Sequence, residues 1–182
     1  MINGKKVLAV IPARGGSKRV PMKNVTLYKQ KPLIRWAMEH AAASKYIDRY
    51  VVSTDAPEIA DHAKGHLLER PDYLATDRAS SESALVHALY SIPGYDYAVI
   101  LQPTSPERLP EDIDRCIEIA ESQEANGQLH GCVSYSEWGK RNGAVYVANV
   151  KHFLATLSLD AANHYTMPNE RSLDIDYTWD FK

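Results

Sequence analysis

The sequence predicts an α/β fold in which a mostly parallel β-sheet carries helices on both faces. Three observations lead there. Short apolar runs alternate with segments of helical periodicity. The runs are apolar throughout rather than at every second residue, as in strands covered on both sides. Polar loops rich in Gly, Pro, Ser and Asp follow the runs, and ligands on such sheets bind beyond the carboxyl ends of the strands.

Val7 to Ile11 is the first such run, ended by Pro12, and a cation-rich loop follows from Arg14 to Asn24. Pro32 suits a first helical turn. Leu33, Ile34, Ala37, Met38 and Ala41 then recur at helical spacing, so a helix extends to about Ser44 with Trp36 in its core. Tyr50 to Thr54 is a second strand, closed by Asp55. Pro57 opens a helix to about Lys64, which Gly65 ends. Ser81 to Tyr90 is a third helix with Leu85, Val86 and Leu89 inward, and Tyr97 to Leu101 a third long strand leading into Gln102-Pro103-Thr104-Ser105. Pro110 opens a fourth helix with Ile113, Cys116, Ile117 and Ala120 in one stripe. Gly131 to Tyr135 and Ala144 to Ala148 alternate like strands; Ser136 to Gly143 joins them, and Asn142-Gly143 is the turn signal. Lys151 to Leu157 reads as a short helix. Without an internal repeat or a linker, residues 1–182 are expected to form one domain.

At 182 residues, 45% hydrophobic and 24% charged, the chain is ordinary for a globular protein and unlike a disordered or fibrous one. Twenty-one basic against 23 acidic residues leave a formal charge of −2, so neither nucleic acid nor an anionic membrane is an expected partner, and an anionic substrate must meet a local cluster of cations. The apolar run near the N-terminus is too short for a signal-peptide core or a membrane span. Two cysteines, Cys116 and Cys132, make neither a disulfide framework nor a zinc site; they read as buried thiols of a cytoplasmic protein.

The loop Arg14-Gly15-Gly16-Ser17-Lys18-Arg19-Val20-Pro21-Met22-Lys23-Asn24 holds four cations, the Gly-Gly pair and no acid, directly after the first strand. Adjacent glycines let a backbone come close to a ligand and turn its N–H groups into an anion nest, while Arg and Lys supply charge for phosphate oxygens. Neither a P-loop nor a dinucleotide fingerprint fits it. Asp174-Ile175-Asp176, read as a strand, projects both carboxylates to one face with Ile175 packed the other way. Two such carboxylates suit Mg²⁺ together with substrate phosphate oxygens; alone they would better fit a solvated turn, and it is the phosphate loop in the same chain that favours the metal. Asp55 serves either as a helix cap or in the site. Ser80 or Ser81 is positioned to cap a helix, and Gln102 to offer its amide to a base or sugar. The histidines form no ligand spacing, and no nucleophile elbow or Cys–His pair is evident.

These residues carry a resemblance. Val7 to Asn24 looks like the opening motif of the acylneuraminate cytidylyltransferases, the CMP–sialic acid synthetases. The likeness continues through Val52-Ser53-Thr54-Asp55, Arg70-Pro71, Leu74-Ala75-Thr76-Asp77, Ser80-Ser81, Leu101-Gln102-Pro103-Thr104-Ser105-Pro106, Asn142-Gly143-Ala144-Val145-Tyr146 and Asp174-Ile175-Asp176. It implies a Rossmann-like nucleotidyltransferase fold and transfer of CMP from CTP to a nonulosonic sugar acid. Arg14, Ser17 and Lys23 would meet the triphosphate; Asn24, Arg70 and Ser81 would hold the nucleotide, with Ala13, Gly15, Gly16 and Ser80 in the same motifs; Gln102 would face the sugar; Asp174 and Asp176 would bind Mg²⁺. The chain departs from the family in two places. A long excursion that forms a dimerisation arm and helps close the partner's sugar site is reduced to Ser136 to Arg141, which leaves the oligomeric state open. The chain also stops at Phe181-Lys182, where relatives continue into a helix. The stripped sugar half leaves two alternatives: a smaller acceptor, or a CTP-binding module without turnover.

Overall fold

The computed structural model describes residues 1–127 and 130–181. Its elements in chain order are β1 (Val7–Pro12), β2 (Leu27–Tyr28), β3 (Lys31–Pro32), α1 (Leu33–Ala43), β4 (Arg49–Thr54), α2 (Pro57–Ala60), β5 (Leu67–Glu69), α3 (Ser81–Ser91), β6 (Tyr97–Leu101), α4 (Pro110–Ala125), β7 (Gly131–Ser136), β8 (Arg141–Asn149), α5 (Val150–Thr156) and β9 (Asn163–Met167). Seven strands form one sheet in the order β5-β4-β1-β6-β8-β7-β9. Only β8 runs against the others, pairing antiparallel with β6 and β7; the remaining pairs are parallel. The expected mostly parallel sheet is therefore what forms.

Alternate residues of β1 feed the two cores, although the run itself is uniformly apolar. Val7, Ala9 and Ile11 pack with Ile34, Ala37, Met38 and Ala41 of α1 and with the Ile113, Cys116, Ile117 and Ala120 stripe of α4. Leu8 and Val10 pack on the other face with Leu85, Ala88 and Leu89 of α3 and Phe153 of α5. A strand buried on both sides has no polar face to show, which is why its sequence does not alternate. Val86, read as inward, is half-buried at the edge of the second core, and Trp36, read as core, is half-buried in a third cluster around Tyr28, Leu33 and Ile175.

Two elements differ from expectation. The helix opened by Pro57 makes a single α-turn, then tightens into a 3₁₀ turn over Asp61–Ala63. Asn142-Gly143 is not the hairpin turn. The turn lies at 137–140, and Asn142-Gly143 falls inside β8, where the register against β7 is broken by a bulge between Val133 and Tyr135. Ser134 fills that bulge, its hydroxyl donating to Asn142 Oδ1 at 2.6 Å and accepting the Val145 N–H at 2.9 Å. Gly143 takes the left-handed conformation the bulge requires, φ 73°. Cys116 and Cys132 are free, buried neighbours between α4 and β7. No helix among the described residues is long and apolar enough to cross a membrane.

Asp114 of α4 anchors the end of α1, accepting from the Ser44 hydroxyl at 2.6 Å and from the Lys45 N–H at 3.1 Å. Asp114→Ala strands both donors, so it should cost about 1–3 kcal/mol and lower Tm by about 2–12 °C, readable by thermal denaturation.

Candidate nucleotide-binding cleft

With one strand reversed, the carboxyl ends of the other six and the start of β8 share one end of the sheet. A cleft of ≈ 410 Å³ opens there, lined by Arg14, Ser17, Lys18, Arg19, Lys23, Asn24, Asp77, Gln102, Thr104 and Asp176 among others. A smaller pocket of ≈ 130 Å³ adjoins it, sharing Pro12, Arg14 and Gln102 and adding Arg70, Ala79, Ser80 and Ser81. The fold thus gathers Arg14, Ser17, Lys23, Asn24, Arg70, Ser80, Ser81, Gln102 and Asp176 from positions spread over most of the chain. Ala13 is fully buried, its N–H donating to the Ser53 carbonyl, and supports the wall without facing the cleft.

The glycine pair works differently from a nest. Neither residue has a positive φ, and the Gly15 N–H is taken by Asp55 Oδ1 at 3.0 Å. Gly15 is needed for close approach: a Cβ there would lie 2.7 Å from the Ala56 Cβ. Asp55 is accordingly not the cap of α2, which has none, and its Oδ1 fastens the cationic loop to the end of β4. The helix cap at α3 is Ser80, which accepts from the Ser83 N–H, leaving Ser81 free to line the pocket.

Nor are the four loop cations uncompensated. Arg14 and Lys18 pair with Asp77 at 3.3 and 2.5 Å; Arg19 and Lys23 pair with Asp176 at 2.7 and 3.4 Å. Asp77 sits some 60 residues from its partners and Asp176 more than 150, so the loop's own sequence could not reveal them. Lys18 holds the Asp77 carboxyl below the ordinary carboxylate range. Four positive charges against two negative still leave a surplus facing the cleft. Lys23 Nζ also donates to the Ile175 carbonyl at 2.9 Å, and the Asn24 amide to the Arg14 carbonyl at 3.1 Å, so both order the loop as well as line it. Arg70 is buried at the end of β4, donating to the Ser53 hydroxyl and carbonyl at 3.0 and 2.7 Å.

Asp174-Ile175-Asp176 forms an extended loop rather than a strand, because the Ile175 N–H bonds to the lone Thr104 carbonyl instead of a ladder. The expected division of faces survives: Ile175 is fully buried against Tyr28 and Leu33, while Asp174 and Asp176 turn outward. The Asp176 and Tyr177 N–H groups both donate to Asp180 Oδ2 at 2.8 Å, which fixes the loop's exit. Asp174 keeps an exposed edge, yet the protein packed around its carboxyl raises its pKa; the Thr104 hydroxyl opposes this and the Asp176 charge adds to it. A Cβ on Gly143 would stand 3.7 Å from Gln102 Oε1 and 3.9 Å from Asp174 Oδ2, so the bulge brings β8 against both residues.

Arg108 is the residue whose importance the sequence did not signal. It is the largest fully buried side chain, donating Nη1 to the Ala144 carbonyl at 2.6 Å and to the Gln102 carbonyl at 3.3 Å. Burial pulls its pKa down to about 10, against the Asp112 charge.

A cytidylyltransferase family model matches residues 8–165. The chain belongs to the cytidylyltransferase family. It is 31% identical to an N-acylneuraminate cytidylyltransferase of Escherichia coli over 216 residues, covering 97% of this chain and 51% of that protein. It is 39% identical over 122 residues to a CMP-N,N'-diacetyllegionaminic acid synthase of Legionella pneumophila, covering 63% and 53% respectively. Among solved structures, the CMP:2-keto-3-deoxy-manno-octonic acid synthetase complexed with CTP matches with TM-score 0.62 and 25% identity, covering 72% of this chain and 52% of that one. The chain spans about half the length of the curated relatives it matches. In the Escherichia coli comparison about 177 residues of this chain spread over 216 positions, leaving about 39 without a counterpart here.

A carboxyl whose folded pKa lies above its unfolded value of about 3.9 weakens the fold once ionised, and the penalty fades as pH falls through the folded pKa. Asp174→Asn should therefore raise Tm at pH 7, with the gain vanishing as pH approaches about 4, in melts recorded across that range.

Proposed function

We propose that this protein is a cytidylyltransferase that transfers CMP from CTP to a hydroxyl of a nonulosonic, sialic-acid-like sugar acid and releases pyrophosphate. The observation carrying this reading is the cleft itself, where four cations and two carboxylates from distant parts of the chain meet at the carboxyl ends of the strands. The names of the relatives support the sugar class. The free, buried thiols suit a cytoplasmic enzyme.

In this reading Arg14, Ser17, Lys18, Arg19 and Lys23 hold the triphosphate, exchanging their pairs with Asp77 and Asp176 for phosphate oxygens. Arg70, Ser81 and Asn24 hold the nucleoside, and Gln102 stands between nucleotide and acceptor. The acceptor hydroxyl attacks the α-phosphorus and pyrophosphate departs in line, so the protein's work is alignment and neutralisation of charge. Asp174 and Asp176 would hold Mg²⁺ by donor chemistry, as two hard oxygen ligands for an ion that also takes substrate phosphate oxygens and water. The bound ion would supply Lewis-acid polarisation of the α-phosphate. The tight 137–140 turn favours one second reading, a smaller hydroxy acid as acceptor.

Pyrophosphate release from the four nucleoside triphosphates with Mg²⁺, against nonulosonic acids, Kdo and smaller hydroxy acids, tests this. Release is expected with CTP and one class of acid. Asp176→Asn should lower it about 100-fold or more while the melt stays cooperative, and Lys23→Ala should weaken CTP binding about 10-fold with little effect on acceptor binding. CTP binding without release from any acid would replace the enzyme with a binding module.

A further inference from the structure

The reversed strand β8 delivers its first residue, Arg141, to the same rim of the sheet as the cleft. Register places Arg141 opposite Tyr135 and Val133 opposite both Tyr146 and His164. Arg141, Tyr135, Tyr146 and His164 therefore share one face of β8, β7 and β9, with Arg141 at the amino end of the reversed strand. α4 packs across these three strands on the opposite face, whereas on this side α5 packs on β8 and the loop after it brings Leu159 and Asp160 alongside. The result is an aromatic face on which Tyr135 and Tyr146 are half-buried, His164 is exposed, and one exposed guanidinium, Arg141, stands at the edge. It is continuous with the cleft: Gly143, two residues along β8, lies against Gln102 and Asp174, and the charges that act on the Tyr146 hydroxyl include those of Arg141 and Asp174.

The guanidinium is already dressed for a carboxylate. Nη2 donates to Asp160 Oδ1 at 2.5 Å, and Nε reaches the Tyr135 hydroxyl at 3.4 Å. Asp160 is 76% exposed on the loop after α5, and an exposed pair of this kind is worth little, so a ligand carboxylate can displace it. Arg offers a planar fork that matches a carboxylate, and the neighbouring ring faces suit the apolar face of a sugar.

We infer that Arg141, braced by Tyr135 on the short β7–β8 hairpin, binds the carboxylate of the acceptor and sets the enzyme's requirement for an acid. This rests on the acceptor reading above but assigns it a residue of this chain alone. Asp160 then acts as an internal competitor that occupies the fork until the acid arrives.

The test uses N-acetylneuraminate and Kdo as acidic probes and N-acetylmannosamine as a neutral one. Each is titrated by calorimetry into the protein with and without cytidine 5'-(α,β-methylene)triphosphate, and pyrophosphate release from CTP is followed in parallel. Arg141→Ala should weaken binding of an acid about 10-fold or more and leave affinity for the nucleotide analogue and for the neutral sugar unchanged. Asp160→Asn should tighten acid binding about 2–5-fold, a gain that a merely structural role for the pair would not produce. Both positions are at the surface, and unchanged melts confirm that the variants fold. Equal acid affinity in the parent and Arg141→Ala, or no binding of either acid to the parent, overturns the inference. Absence of nucleotide binding and of release instead overturns the cytidylyltransferase reading, while the acid titrations without nucleotide still report on Arg141.

Discussion

Beyond the Leu101–Val145 pair the ladder between β6 and β8 ends, and Pro103 brings no N–H to continue it. The Arg108 guanidinium takes over at that point, bridging the Gln102 and Ala144 carbonyls from a fully buried position. A buried charge is costly, and Nε and Nη2 find no partner among the described residues. What the cost secures is geometry. With the two strand ends held, Gln102, Gly143 and Asp174 meet beside the cleft.

The electrostatics of the cleft follow from the same convergence. A loop of four cations on its own would repel itself. Asp77 and Asp176 neutralise half of that charge and hold the loop in an ordered shape before any ligand arrives. Each carboxylate is exposed enough to release its partners to a stronger anion at modest cost. An anion entering this cleft therefore meets cations already arranged, with less ordering still to be done.

Much of the site was legible because its chemistry is local. Arg14 to Asn24 stood out as a candidate phosphate loop on charge and position alone, and the Ser80-Ser81 pair announced a helix start near it. The misreadings share one physical cause: a partner on another element, which local pattern does not show. Gly15 looked like part of a nest until Asp55 took its N–H and Ala56 filled the space beside it. Asn142-Gly143 carried the strongest turn signal in the last third of the chain, yet the Ser134 hydroxyl on the neighbouring strand bonds Asn142 and Val145 across a bulge, and strand pairing outweighed local preference.

The sequence by itself determined the long apolar strands, most of the helices and the inventory of charge, since apolar periodicity, Pro and Gly positions and clustered cations act over a few residues; the short β2, β3 and β5 and the half-exposed β9 carry no such signal. Only the tertiary structure decided which charges meet. Asp176 with Lys23, Arg108 with Ala144 and Arg141 with Asp160 are contacts between segments brought together by the sheet order and by the reversal of β8. Electrostatic and hydrogen-bond energies depend on separation in space, which no spacing along the chain encodes.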